Sequence, residues 1–244
     1  MSGGGAALLP QAVAHVHIGA AAATESPRQE REAGEQAAAA PLPPPPWPLI
    51  HEIDDPSLPH HQMQEWVVFS DLHVGASTLD TCLQVLDKVH EEAVQRGSCG
   101  IIFLGDFWHI RGALKVDLLN TVMARLSKWE TPVVMIPGNH DQVTLGGGVH
   151  ALTPLKFAFR DPKQALIISE PTTFLGALWI PHRRDNGVVR DLLATDEAQQ
   201  ARAIFAHVDT KGAAMNDNVA SRVGLPVSCF PEGTPVFSGH FHKP

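Results

Sequence analysis

Five short polar clusters, each behind an apolar run, carry the residues of this chain best suited to chemistry. They are "SDLH" with Asp71 and His73, "GDFWH" with Asp106 and His109, "GNHD" with Asn139, His140 and Asp141, "AHVD" with His207, and "FSGHFH" with His240 and His242. Carboxylates, imidazoles and an amide oxygen suit manganese, iron or zinc, whereas Cys82, Cys99 and Cys229 have no zinc-type spacing. One carboxylate can bridge two ions, and a two-ion site activates water and clamps an in-line displacement. His240 and His242, two apart on an extended segment, project to the same side and can face one object. Taken singly, each residue has an ordinary alternative. Asp71 suits a turn or a helix cap, Asn139 and His140 suit a turn after Pro137-Gly138, and His207 suits a satisfied core position. Asp106 is harder to dismiss, because a carboxylate at a buried strand end is costly unless paired or metal-bound.

The elements that must position these clusters follow from apolar periodicity. Strands are predicted over 65–70, 100–106 and 132–138, alternating with helices over 77–96 and 114–129. The first helix repeats Leu79, Cys82, Leu83, Leu86, Val89 and Ala93; the second repeats Leu118, Val122, Leu126 and Trp129. This alternation implies an α/β domain with parallel pairing at its start, in which ligands gather at the carboxyl ends of the strands. Every cluster falls at that edge. Further strands are expected over 165–169, 172–175, 177–181, 202–207 and 235–239, with a helix over 188–200. The stretch 208–234 shows no clear element and reads as an active-site loop.

Residues 1–62 look different. Runs such as "EQAAAAP" and "LPPPPWP" lack a sustained apolar period, so this Ala/Pro-rich segment is expected to be disordered, leaving 63–244 as the catalytic domain. The net charge of −8 divides unevenly: residues 1–62 hold two basic and seven acidic side chains, the remainder 16 and 19. The domain therefore lacks an overall basic footprint for nucleic acid, and an anionic ligand must be drawn in by local charge. No secretory or transit pattern opens the chain and no apolar run reaches spanning length, so a soluble, intracellular protein with reduced thiols is expected, with no membrane partner. Arg183 and Arg184 follow "WIPH" at a strand end. They suit a phosphate contact, but a solvated loop is the more common use of such a pair. Trp66, Trp108 and Trp179 read as packing residues, and His182 receives no role.

In this order, "DLH", "GDFWH", "GNHD", His207 and "GHFH" resemble the calcineurin-like metallophosphoesterase superfamily over about residues 64–244. The resemblance implies a four-layer αββα sandwich and two divalent ions, manganese ahead of iron or zinc. It implies that Asp71, His73 and His242 hold one ion, Asn139, His207 and His240 the other, and Asp106 bridges them. His140 would face the scissile phosphate and protonate the leaving oxygen, with His109 supporting it. Two divalent ions less two aspartates and a bridging hydroxide nucleophile leave about +1, a positive seat for phosphate in an acidic protein.

The details of the motifs are most similar to SbcD-type DNA exonucleases and phage-style phosphoesterases. Serine/threonine phosphatases typically show a different second block, and purple acid phosphatases use a tyrosine ligand where this chain contains no tyrosine. A phosphodiesterase acting on DNA or nucleotides is therefore expected. A phosphomonoesterase or small-metabolite hydrolase is the alternative, and a non-catalytic binding module on this fold ranks last. The chain ends two residues after "GHFH", so either a fragment or a core with a truncated C-terminal sheet edge is expected.

Overall fold

The computed structural model describes residues 51–52, 65–109, 112–144, 146–216 and 219–241. His242 and Arg111 lie outside this set, as does the segment 1–62 apart from His51–Glu52. The first strands are β1 (His51–Glu52), β2 (Trp66–Phe69), β3 (Gly100–Phe103), β4 (Val133–Met135) and β5 (Ala165–Ile167). They are followed by β6 (Thr172–Phe174), β7 (Ala177–Ile180), β8 (Ile204–His207), β9 (Ala214–Asn216), β10 (Val219–Ala220) and β11 (Val236–Gly239). The helices are α1 (Leu79–Arg96), α2 (Val116–Leu126), α3 (Asn186–Leu193) and α4 (Asp196–Gln200).

Side-chain alternation explains how these elements stack. Strands β2 to β5 form one parallel sheet in sequence order. Val67, Phe69, Ile101, Phe103, Val133 and Met135 turn to one face, against Cys82, Leu86 and Val89 of α1 and Leu118, Val122 and Leu126 of α2. The alternate residues Trp66, Val68, Ile102 and Val134 turn to the other face, where they meet Phe174, Trp179 and Phe205 of a second sheet. That sheet runs β1-β6-β7-β8-β11, with only β6 and β7 antiparallel. Its own outer residues Leu178, Ile180, Ile204 and Ala206 bury against Val189, Leu192 and Leu193 of α3. The result is the four-layer αββα sandwich. Strands buried on both faces need continuous apolar runs, which is what the sequence supplies.

Two local expectations are corrected. The helix over 188–200 is two helices, because Thr195 takes an extended conformation and its side chain accepts the Ala198 N–H, capping a fresh start. The stretch 208–234 also contains a small antiparallel pair, β9 with β10. The strands β5 and β6 are neighbours in sequence but belong to different sheets. No helix among the described residues is long and apolar enough to cross a membrane.

Candidate metal centre

Parallel pairing sets the carboxyl ends of β2, β3 and β4 side by side, and those of β8 and β11 beside each other. The loops leaving these ends are strained where the ligand-type side chains stand. Asp71, His73, Asp106 and His240 have φ of 56°, 49°, 61° and 93°; only Leu175, in the turn between β6 and β7, joins them among described non-glycine residues. Left-handed backbone costs a residue with a Cβ about 1 kcal/mol or more, so something must hold it. The holding bonds run between loops. The Asp71 N–H donates to the Gly105 carbonyl (2.9 Å), the His73 N–H to that of Asp106 (3.0 Å) and the Val74 N–H to that of Phe107 (2.7 Å). Thr78 ties the same loop to α1, its hydroxyl donating to the His73 carbonyl.

Asp141 is the anchor beneath these loops. Its buried carboxylate accepts the N–H groups of Asp106, Phe107, Trp108 and Gly138 at 2.8 to 3.0 Å. Burial and the nearby Asp106 carboxylate push its pKa up, to about 7, while the amide donors pull it back toward the ionised form. Gly138 must be glycine, because a Cβ there would collide with the Asp106 carboxylate.

Asp106 occupies the middle of the site. Its Oδ1 accepts the His140 N–H (2.7 Å), and its Oδ2 lies 3.5 Å from His207 Nε2 and 3.8 Å from His73 Nε2. Burial opposes its ionisation, but the His207 imidazole and the His140 N–H outweigh that and hold the carboxyl well below the usual range. His207, fully buried, places Nδ1 2.7 Å from the Leu104 carbonyl, which makes Nδ1 the donor and leaves Nε2 facing Asp106. Burial disfavours its charged form, yet Asp106, Asp71 and the Leu104 carbonyl raise its pKa to about 9. Asn139 Oδ1 sits 3.0 Å from His207 Nε2 and 2.9 Å from His240 Nδ1. The other nitrogen of His240 lies 2.6 Å from Asp209 Oδ1.

Two sets of ligand-type atoms emerge, each with all members within 4.8 Å of one another: His73, Asp106 and His140, and Asp106, His207 and His240. Asp106 belongs to both. The donors are oxygen and imidazole nitrogen, the backbone carbonyl behind His207 fixes its tautomer, and no cysteine enters, so the residues fit divalent transition ions. Of the residues singled out in the sequence, Asp71, His73, Asp106, Asn139, His140, His207 and His240 therefore lie at one sheet edge. Asp71 accepts the His240 N–H on its carboxylate at 3.1 Å. His140 stands among the ligand-type atoms as well as facing His109, whose carbonyl lies 3.1 Å from His140 Nδ1 and whose ring stacks at 6.2 Å.

Three residues had no role in the sequence reading. Asp141 lies within the "GNHD" cluster, Asp209 stands two residues beyond His207, and His182 follows β7. The spacing of Asp209 was a usable signal; nothing in the sequence distinguished His182 from the unassigned histidines. Next to the site is a cavity of about 370 Å³, whose walls include Asn139, His182, Arg184, Asp209 and His240. A larger hollow of about 860 Å³ runs along β11 beside Phe230, Phe237 and Phe241, and among the described residues no imidazole lines it.

Residues 66–244 match the family model of the calcineurin-like phosphoesterases. No curated protein matches the chain. Among solved structures, it is similar to the nuclease MPE of Pseudomonas putida at 21% identity and a TM-score of 0.35. That match covers 49% of this chain and 55% of the nuclease, so the chain spans about half of that protein's length.

Proposed function

The chain belongs to the calcineurin-like phosphoesterase family, a family of metal-dependent hydrolases of phosphoester bonds, and from this premise we propose that it is a two-metal phosphodiesterase acting on nucleotides or nucleic acid. Asp71, His73 and His242 would hold one ion, Asn139, His207 and His240 the other, with Asp106 shared. The ions would supply Lewis acidity toward the phosphoryl group and an activated water. The residues of the chain prepare for this in several ways. Asp106 stays ionised. His207 presents Nε2 because Leu104 holds Nδ1, and Asn139 is fixed between two imidazoles. His140 has Nδ1 directed at the His109 carbonyl, leaving Nε2 to hand a proton to the departing oxygen. The observation that carries the reading is the carboxylate of Asp106 common to two sets of ligand-type atoms.

The test is a metal titration of the stripped protein with manganese, iron and zinc, assayed on bis-p-nitrophenyl phosphate and p-nitrophenyl phosphate. Metal-dependent turnover that favours the diester is expected, rising over two bound equivalents. Preference for the monoester would instead make the protein a phosphomonoesterase, and saturation at one ion would overturn the two-metal assignment.

A further inference from the structure

Two adjacent arginines after β7 are used in opposite ways. Arg183 is buried, and its guanidinium donates to Glu170 Oε2 (2.6 Å) and to the carbonyls of Ser169 (2.9 Å) and His182 (2.9 Å). Gln142 Nε2 donates to that same His182 carbonyl at 2.7 Å, and the His182 N–H is held by the Pro137 carbonyl at 3.0 Å. The backbone at 182–183 is therefore fixed from three sides. Neighbouring residues of an extended segment face opposite ways, so turning Arg183 inward leaves His182 and Arg184 on the other side. Both line the 370 Å³ cavity.

That cavity carries unused hydrogen-bonding capacity. Arg184 is exposed at its rim and makes no ion pair among the described residues. His182 lines the wall but is only 9% exposed, and its Nδ1 is buried away from the cavity's open space. Thr144 adds an exposed hydroxyl at the wall. The one carboxylate among the described residues that line it, Asp209, is engaged by His240 at 2.6 Å. Asn139 and His240 belong both to the cavity and to the centre built on Asp106. A group seated in the cavity therefore lies beside the centre built on Asp106.

We propose that this cavity is a subsite for a second phosphate, read by Arg184 with Thr144, so that the substrate is a diester carrying another phosphate beside the scissile one, as in a polynucleotide strand. The inference rests on the phosphodiesterase reading and narrows it. A guanidinium at the rim matches phosphate oxygens as a fork, and a charged hydrogen bond of this kind is expected to improve KM about tenfold.

The experiment compares two substrates on the manganese-loaded full chain: the p-nitrophenyl ester of thymidine 5′-phosphate, and the same compound with a 3′-phosphate. Leaving group and scissile diester are identical, so only the second phosphate differs. The wild-type protein is expected to show a KM about tenfold lower for the phosphorylated compound. Arg184→Gln should bring the ratio to about one, Arg184→Lys should retain part of it, and Arg184→Glu should invert it. A wild-type ratio of one, or a tenfold ratio that survives in Arg184→Gln, overturns the subsite while leaving the phosphodiesterase reading intact. Failure of the wild-type protein to hydrolyse either ester overturns that reading, and the subsite with it.

Discussion

The two sets of ligand-type atoms share Asp106 but are built differently. Around His207 and His240, the polar atoms are oriented from behind: Leu104 holds one imidazole, Asp209 the other, and Asn139 sits between them. Around His73 and His140 the surroundings are looser. Both imidazoles are half-buried, His109 beside them is exposed, and the ring of His140 is placed by the His109 carbonyl, a stack on His109 and an edge contact with His73. The first arrangement resembles a holder, with geometry set before any ion arrives. The second holds the His140 ring by fewer polar contacts, which suits the proton transfer proposed for it. The two sets thus differ less in burial, since His240 is as half-buried as His73, than in how many polar partners orient their rings.

Breaking the shared carboxylate should erase the contrast. Asp106→Asn is expected to lower kcat by at least about a thousandfold and to weaken both ions together, read by isothermal titration and metal analysis. Loss of only one ion would mean that the two sets are independent. His140→Ala should separate the halves, with kcat falling by about a hundredfold or more while the ion at His207 and His240 stays bound. If that ion also left, His140 would be part of the holder. Asp209→Asn probes the other half more gently. It should weaken one ion by about ten- to a hundredfold and leave the second untouched, as expected when the group orienting a ligating imidazole is removed.

The smallest effect concerns pH. His207 holds its proton up to about 9, so an ion binding there must displace it. Affinity for that ion should therefore rise with pH, by up to about tenfold per unit, and level off above 9. In the metal-free protein the sign is reversed: stability linked to the raised pKa is full below the ordinary value of 6.5 and is lost as pH rises through about 9. Calorimetric titrations in buffers of different ionisation enthalpy would detect the released proton. Proton release unchanged in His207→Gln would assign it elsewhere.

Much of this organisation was legible in the chain. The continuous apolar runs of β2, β3 and β4 can only be strands buried on both faces, and the 3.6-residue rhythm of α1 and α2 places them over one of those faces. The residues at the strand ends were equally visible, because carboxylates and histidines directly behind apolar runs are unusual without a partner. Other features were hidden for physical reasons. The break at Thr195 depends on one cap hydrogen bond, which competes closely with continuing the helix. The structural use of Arg183 and the exposure of Arg184 look identical in sequence, since both are the same residue at adjacent positions.

By itself, the sequence determined which chemistry was available: oxygen and imidazole donors in a fixed order along an α/β chain, with apolar periods strong enough to specify the layers. Only the tertiary structure decided which donors meet. Asp106 and His240 are more than a hundred residues apart, and parallel pairing within each sheet, together with the packing of the two sheets, brings them to one edge. Long-range convergence of this kind is a property of strand register and core packing, which no local pattern encodes, and the same packing turned two neighbouring arginines to opposite sides.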